Sequence, residues 1–345
     1  MMRKFLAFAA LSRLVLHVVA MEPAMEDAIR HGAMAKISYR VIDDEGCPVS
    51  NAVAHVWFSS YARHQDDADW LVTTDTNGMF TVEHRTNESL DCGFDKDGYY
   101  HSSDQILFRD RKDVPVKVKD GKWQPYGETR TVVLKKTKAL GRLSVPDVGQ
   151  FAVRERKIPS FDCWIPFDLE KFDWNAPYGT GMHPDVLLRF RNRTTSRCFD
   201  YTDQMDVCFT NNPFAGAYEM KKDIVSDMKT EYVANTNAFF KNCFSFVCER
   251  TADNKRTEVY LTDDSYLVFR TRTTVDENGR LRSAHYGVIH GAWMSGGNYL
   301  RITDGCFNPI ENNCNIEDSY YLRDKVKHYR DSTRNTTAGS ILQPK

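Results

Sequence analysis

The feature that most constrains this chain is a strand, a Gly46-x-Pro48 turn and a second alternating strand over residues 41–57, followed by Thr74-Asp75-x-x-Gly78-x-Phe80. Apolar and polar residues alternating at period two give a strand with one buried face. Glycine supplies the positive φ, and proline the fixed φ, that a sharp reversal needs. The pattern of short strands and turn signals continues over residues 35–137 and predicts a sandwich. Residues 37–42 and 52–58 alternate, and residues 130–136 close the unit. Asn77-Gly78 predicts a hairpin between residues 70–73 and 80–83, and Asp97-Gly98 and Asp120-Gly121 predict two more turns.

A chain of 345 residues has room for two domains. Lys+Arg 46 against Asp+Glu 47 leaves a net charge of −1, with no run of five like charges, which argues against a nucleic-acid binder. The N-terminus carries Arg3 and Lys4, then an apolar stretch interrupted by Arg13 and His17, ending at Ala20. That order reads as a secretory signal peptide over residues 1–20, too short and too broken for a transmembrane segment. The expected location is therefore secreted, periplasmic or cell-envelope.

Nine cysteines with no Cys-x-x-Cys spacing exclude zinc-ribbon and thioredoxin-type motifs. Export would permit disulfides. The candidates are Cys306–Cys314, across an Asn- and Pro-containing loop, and Cys198–Cys208. Cys243 and Cys248 are close, but an odd spacing puts them on opposite faces of a regular strand.

Residues 138–150 turn Gly- and Pro-punctuated, which places a boundary there. Beyond it, strands are expected at 186–191, 258–262, 266–272 and 281–288, the last two joined at Asn278-Gly279. Ala217, Met220, Ile224, Val225, Met228 and Tyr232 fall at helical spacing and predict one short covering helix. The expected fold is all-β: one β-sandwich over residues 34–138, a second over 150–330 with at most one or two short helices, and a flexible tail over 331–345.

Three motifs in the first unit, Asp43-x-x-Gly46-x-Pro48-Val49-x-x-Ala52, Thr74-Asp75-x-x-Gly78-x-Phe80 and Lys96-x-Gly98-Tyr99-Tyr100, resemble the carboxypeptidase-regulatory-like (transthyretin-like) domains of bacterial secreted proteins. The second unit carries Asp168-Leu169-Glu170-Lys171-x-Asp173-Trp174, Pro177-Tyr178-Gly179-x-Gly181 and the stretch from His285 to Gly291. Together they resemble exported bacterial proteins of unknown function that begin with such a domain. The resemblance implies a prealbumin-like first sandwich and a bacterial, exported protein; it implies no catalytic residues.

No histidine has the His-x-x-Glu or His-Glu-x-x-His spacing of a zinc peptidase. His285 and His290 are five apart and face opposite ways in a strand. Intradiol ring-cleaving dioxygenases start from a similar strand and draw attention to Tyr99, Tyr100 and His101, but their His-x-His ligand pair is missing. The acidic groups Asp200, Asp203, Asp206 and Asp263-Asp264 lack the glycine of a calcium loop. No metal site and no cofactor are expected. What remains is Asp168, Glu170 and Asp173 beside Trp174 and Tyr178, an acidic and aromatic mixture of the kind found at sugar sites. The leading expectation is a non-enzymatic binding or structural protein of the envelope, its partner a polysaccharide or another envelope protein. The alternative is a glycan-active hydrolase using Asp168, Glu170 or Asp173.

Overall fold

Strict alternation makes residues 33–43 a strand with Ala33, Ala35, Ile37, Tyr39 and Val41 on one buried face. The computed structural model describes residues 22–60, 67–109, 117–138, 154–194, 200–210, 214–251, 256–259, 265–295 and 298–317. The expected leader over 1–20 and tail over 331–345 lie outside them. The fold is all-β, and the helix α1 (Pro23–His31) precedes the first strand. Proline at its start, an Arg30–Glu26 pair one turn apart at 2.7 Å and Gly32 at φ 75° delimit it. It packs Ala28 and Met25 on the first core.

The first unit contains β1 (Ala33–Asp43), β2 (Val53–Ser59), β3 (Ala68–Thr73), β4 (Met79–Thr86), β5 (Ser89–Asp95), β6 (Ser102–Leu107), β7 (Lys117–Lys119), β8 (Lys122–Gln124) and β9 (Glu128–Leu134). One sheet runs β4-β1-β8-β7, with β9 lying parallel to β1, and the other runs β3-β2-β5-β6. Their facing sides enclose Tyr39, Phe58, Phe80, Leu90, Phe94 and Leu134. Asp97-Gly98 links the paired β5 and β6, and Asp120-Gly121 closes the β7–β8 hairpin with both residues at positive φ.

The turn at Asn77-Gly78 departs from expectation. It joins β3 to β4, which belong to different sheets, so it is a corner and not a hairpin. The corner locks the two leading motifs together. The buried Thr74 hydroxyl donates to the Val49 carbonyl at 2.7 Å and accepts the Ala52 N–H at 2.9 Å. Gly78, at φ 71°, passes so close to β1 that a Cβ there would sit 2.3 Å from the Val41 carbonyl oxygen.

The second unit contains β10 (Arg154–Lys157), β11 (Trp164–Asp168), β12 (Asp173–Trp174), β13 (Val186–Thr194), β14 (Tyr201–Phe209), β15 (Gly216–Lys221), β16 (Cys243–Arg250), β17 (Arg256–Val259), β18 (Ser265–Val275), β19 (Leu281–Ser295) and β20 (Tyr299–Phe307). A five-stranded sheet β10-β20-β19-β18-β15 packs on a six-stranded sheet β12-β11-β13-β14-β16-β17 around Phe167, Leu188, Phe190, Phe246, Phe269 and Phe307. A further cluster, with Val268, Tyr286, Val288, Phe240 and Ile316, covers the other side of the five-stranded sheet. β18 is therefore buried on both faces from Ser265 to Thr271.

The predicted helix over 217–232 is absent. Residues 216–221 form β15, and residues 222–241 run as an irregular strap. Side chains take the backbone donors a helix would use: the Asp223 carboxylate accepts the Val225 and Ser226 N–H groups, and Ser226 Oγ accepts that of Met228. The strap then docks on the first unit. The Val225 carbonyl accepts the Ser103 N–H, and the His101 carbonyl accepts the Asp227 N–H, along the β6 edge. The Lys135 ammonium donates to the Met228 and Thr230 carbonyls at 3.0 and 3.1 Å and pairs with Asp223 at 2.8 Å. The buried Glu317 carboxylate accepts the Tyr100 hydroxyl and the Lys138 N–H.

Both disulfide expectations are corrected. Cys208 and Cys243 stand directly opposite in the β14–β16 ladder and form the bridge; Cys198 lies outside the described residues. Cys306 and Cys314 are not bridged: β20 turns Cys306 into the cluster beside Val288, and Cys314 lies on the following loop. Asp203 and Asp206 belong to β14, not to a loop, and Asp206 pairs with Arg189 and Arg191.

Candidate functional site

β11 ends at Asp168, and the chain turns back through β12 so that Asp168 pairs with Asp173. The return from Trp174 to Asp185 passes a cis Ala176–Pro177 bond and two crowded glycines. A Cβ on Gly179 would lie 2.4 Å from the Trp174 carbonyl oxygen, and one on Gly181 would lie 2.8 Å from Asp168 Cβ. The glycines are required because this loop folds onto its own carboxylates.

Asp168 is fully buried. One of its oxygens accepts the Glu170 and Lys171 N–H groups and the other accepts those of Met182 and His183, all at 2.9 Å. Burial raises its carboxyl pKa, but these N–H groups and the Arg272 guanidinium outweigh that and hold it below the ordinary range. Asp173 accepts the Trp174 N–H and both the N–H and the hydroxyl of Thr180, and Arg156 lies 3.5 Å away. It too is lowered: burial raises it, but these donors and Arg156 outweigh that. Trp174 is core: its indole N–H donates to the Lys157 carbonyl and its ring meets Phe167 and Phe190 edge-on. Tyr178 is half exposed at the loop tip.

The structure adds three residues that sequence reasoning missed: Asp185, Thr271 and Arg272. β18 carries a bulge in which Arg272 and Thr273 together oppose Ala284, and Arg272 has φ 50°. In a regular strand, consecutive side chains point to opposite faces. The bulge lets Thr271 and Arg272 meet one carboxylate, with the Thr271 hydroxyl at 3.2 Å and Arg272 Nε at 2.9 Å from Asp185 Oδ1. Arg272 also reaches Glu170 at 2.6 Å and Asp168 at 3.4 Å, and its guanidinium covers the Phe307 ring at 4.5 Å. His285 stacks on the same ring. Burial raises the Asp185 carboxyl pKa, only partly offset by Arg272. Burial pulls the Arg272 guanidinium down, but Asp185 and Glu170 pull it further up.

The result is a clamp. Arg272 from the five-stranded sheet holds three carboxylates attached to the six-stranded one. Of the acids gathered here, Asp168 and Asp185 are at most 1% exposed, whereas Glu170 and Asp173 are 24% and 21% exposed. Asp168 and Glu170 both reach Arg272, and Glu170 does so from a turn, not a strand. Tyr100 and His101 diverge: Tyr100 is buried against Glu317, and the His101 ring faces Asp95 at 2.9 Å. Among the described residues, no group of three or more His, Cys, Asp or Glu is placed to hold a metal ion, and no helix is long and apolar enough to cross a membrane.

No family model and no curated protein matches the chain. Solved structures similar to part of it include 3-chlorocatechol 1,2-dioxygenase from Rhodococcus opacus 1CP, at 16% identity and TM-score 0.24 over 31% of this chain and 61% of that one. Chlorocatechol 1,2-dioxygenase from Pseudomonas putida is similar at 16% identity and TM-score 0.25 over 30% and 61%. The chain spans about six-tenths of the length of these structures, and likeness at this level carries no functional argument.

Proposed function

We propose that the protein is a non-enzymatic, exported binding or structural module of the cell envelope, with a polysaccharide or another envelope protein as its ligand. The observation that carries this reading is the Arg272 clamp. Glycoside hydrolysis needs two carboxyl groups facing the substrate, one protonated and one ionised. Here Asp168 and Asp185 are buried and taken up by internal donors, and Glu170 is tied to Arg272. Trp174 is enclosed as core and has no face to offer a sugar. Asp168, Glu170 and Trp174, which prompted the hydrolase reading, are thus engaged inside the fold.

Export is supported by the bridged Cys208–Cys243 pair, since such bonds persist in oxidising compartments. The carboxypeptidase-regulatory-like reading of the first sandwich is supported by Thr74 and Gly78, whose roles are structural. The test incubates the protein with purified wall polysaccharides and measures retention and released reducing ends together. Retention without release is the expected result; release of sugar ends by the pure protein would overturn the reading.

A further inference from the structure

The outward face of the sheet β3-β2-β5-β6 sets exposed apolar side chains among carboxylates. Its register brings Asp69, Trp57 and Asp91 side by side on β3, β2 and β5, with Leu71, His55 and Gly93 in the next row. β6 adds Gln105 beside Asp91 and Ser103 beside Gly93. Trp57 is 47% and Leu71 68% exposed, on positions where a solvated strand ordinarily carries polar residues. No lysine or arginine stands at any outward position of these four strands among the described residues.

The polar groups around Trp57 are held in place. Asp91 accepts the Gln105 amide at 2.6 Å and the Ser89 hydroxyl at 2.7 Å. Asp69 is bonded to His55, and Asp95 to His101. His101 lies over Gly93, where a Cβ would come within 2.9 Å of its ring. The strap from the second unit occupies the β6 edge, while Trp57, Leu71 and Leu107 on the face stay exposed.

We propose that this face binds a glycan bearing free amino groups. The inference rests on the reading of the protein as a binding module and names its ligand class and surface. An exposed indole offers a stacking surface to the C–H side of a sugar ring and attracts an ammonium group. Flanking carboxylates with fixed geometry accept hydroxyl and ammonium donors as charge-assisted bonds. Three aspartates with no lysine or arginine on these strands disfavour a polyanion, and they disfavour a second copy of the same face. The groups spread across the sheet rather than along an edge, which suits a stacking ring better than a strand-adding peptide.

The test titrates the full chain with a glucosamine hexamer, an N-acetylglucosamine hexamer, polygalacturonate and a lysine-rich peptide, by calorimetry. The glucosamine hexamer is expected to bind about tenfold more tightly than its acetylated form, with no binding of polygalacturonate. Trp57→Ala and Asp91→Asn are each expected to weaken it roughly tenfold, whereas Trp164→Ala, an exposed tryptophan of the other sandwich, leaves it unchanged. Thermal melting verifies that each variant is folded. The proposal is overturned if the glucosamine hexamer does not bind, if the acetylated hexamer, polygalacturonate or the peptide binds as well, or if Trp57→Ala has no effect. Wall-polymer retention that survives both Trp57→Ala and Asp91→Asn would remove this face and keep the binding-module reading.

Discussion

Replacing Arg272 with methionine isolates the clamp. Methionine keeps an apolar stem over Phe307 and removes the guanidinium bonded to Asp185; among the described residues that buried carboxylate keeps the Leu169 N–H and the Thr271 hydroxyl. Breaking a buried pair from one side costs about 3–5 kcal/mol, because the partner charge stays behind. The lost bond to the more exposed Glu170 adds at most about 1 kcal/mol. For a unit of this size, the sum corresponds to a fall in Tm on the order of 10 °C. The pH dependence has a definite sign. Asp185 already titrates above its ordinary range in the folded state, and losing Arg272 raises it further. A raised folded pKa means stability present at low pH and lost as pH rises through that value. The deficit of Arg272→Met is therefore larger at pH 7.5 than at pH 4. Adding Asp185→Asn recovers part of it, with a coupling of about 1–3 kcal/mol. Equilibrium denaturation in urea at the two pH values measures all of this. A loss below about 1 kcal/mol, or one equal at both pH values, would refute the clamp.

Four other outcomes are expected. Gly181→Ala, whose Cβ would press on Asp168, lowers stability by about 1–3 kcal/mol in the same assay. Cys243→Ser opens a bridge spanning 35 residues and costs up to about 4 kcal/mol, and non-reducing peptide mapping finds the Cys208–Cys243 peptide only in the wild type. Lys135→Met removes the ammonium that holds the strap and speeds limited proteolysis within residues 222–234 roughly tenfold. Asp168 is held below its ordinary range, so its stabilisation is present above the normal carboxylate pKa and lost as pH falls through the folded value. Asp168→Asn accordingly flattens the acid limb of stability against pH, as read from denaturant midpoints between pH 6 and pH 3.

The first sandwich was largely legible in the sequence because its signals are local. Gly46, Gly78 and Gly98 take positive φ, and Asp75 bonds backbone within the turn it occupies. Asn77-Gly78 marked a turn correctly, but no local signal says whether the strands on either side pair or part into two sheets. The strap misled because periodicity counts apolar residues and ignores that Asp223 and Ser226 compete for backbone donors. In the candidate site, the Asp168–Gly181 loop was visible as a motif, whereas Arg272 was not. A bulge in β18 delivers it, and it acts across 104 residues of sequence on Asp168. The Cys208–Cys243 bridge was hidden for a related reason: it follows from the β14–β16 register, not from proximity in the chain.

The measurement that tests the central claim most directly is made on Asp168→Asn, Glu170→Gln and Asp173→Asn together with the wild type. Stability and polysaccharide turnover are recorded on the same preparations. The account predicts no turnover by any of the four, with stability clearly reduced in Asp168→Asn and Asp173→Asn. Turnover by the wild type that disappears in one of these variants at unchanged stability would contradict it.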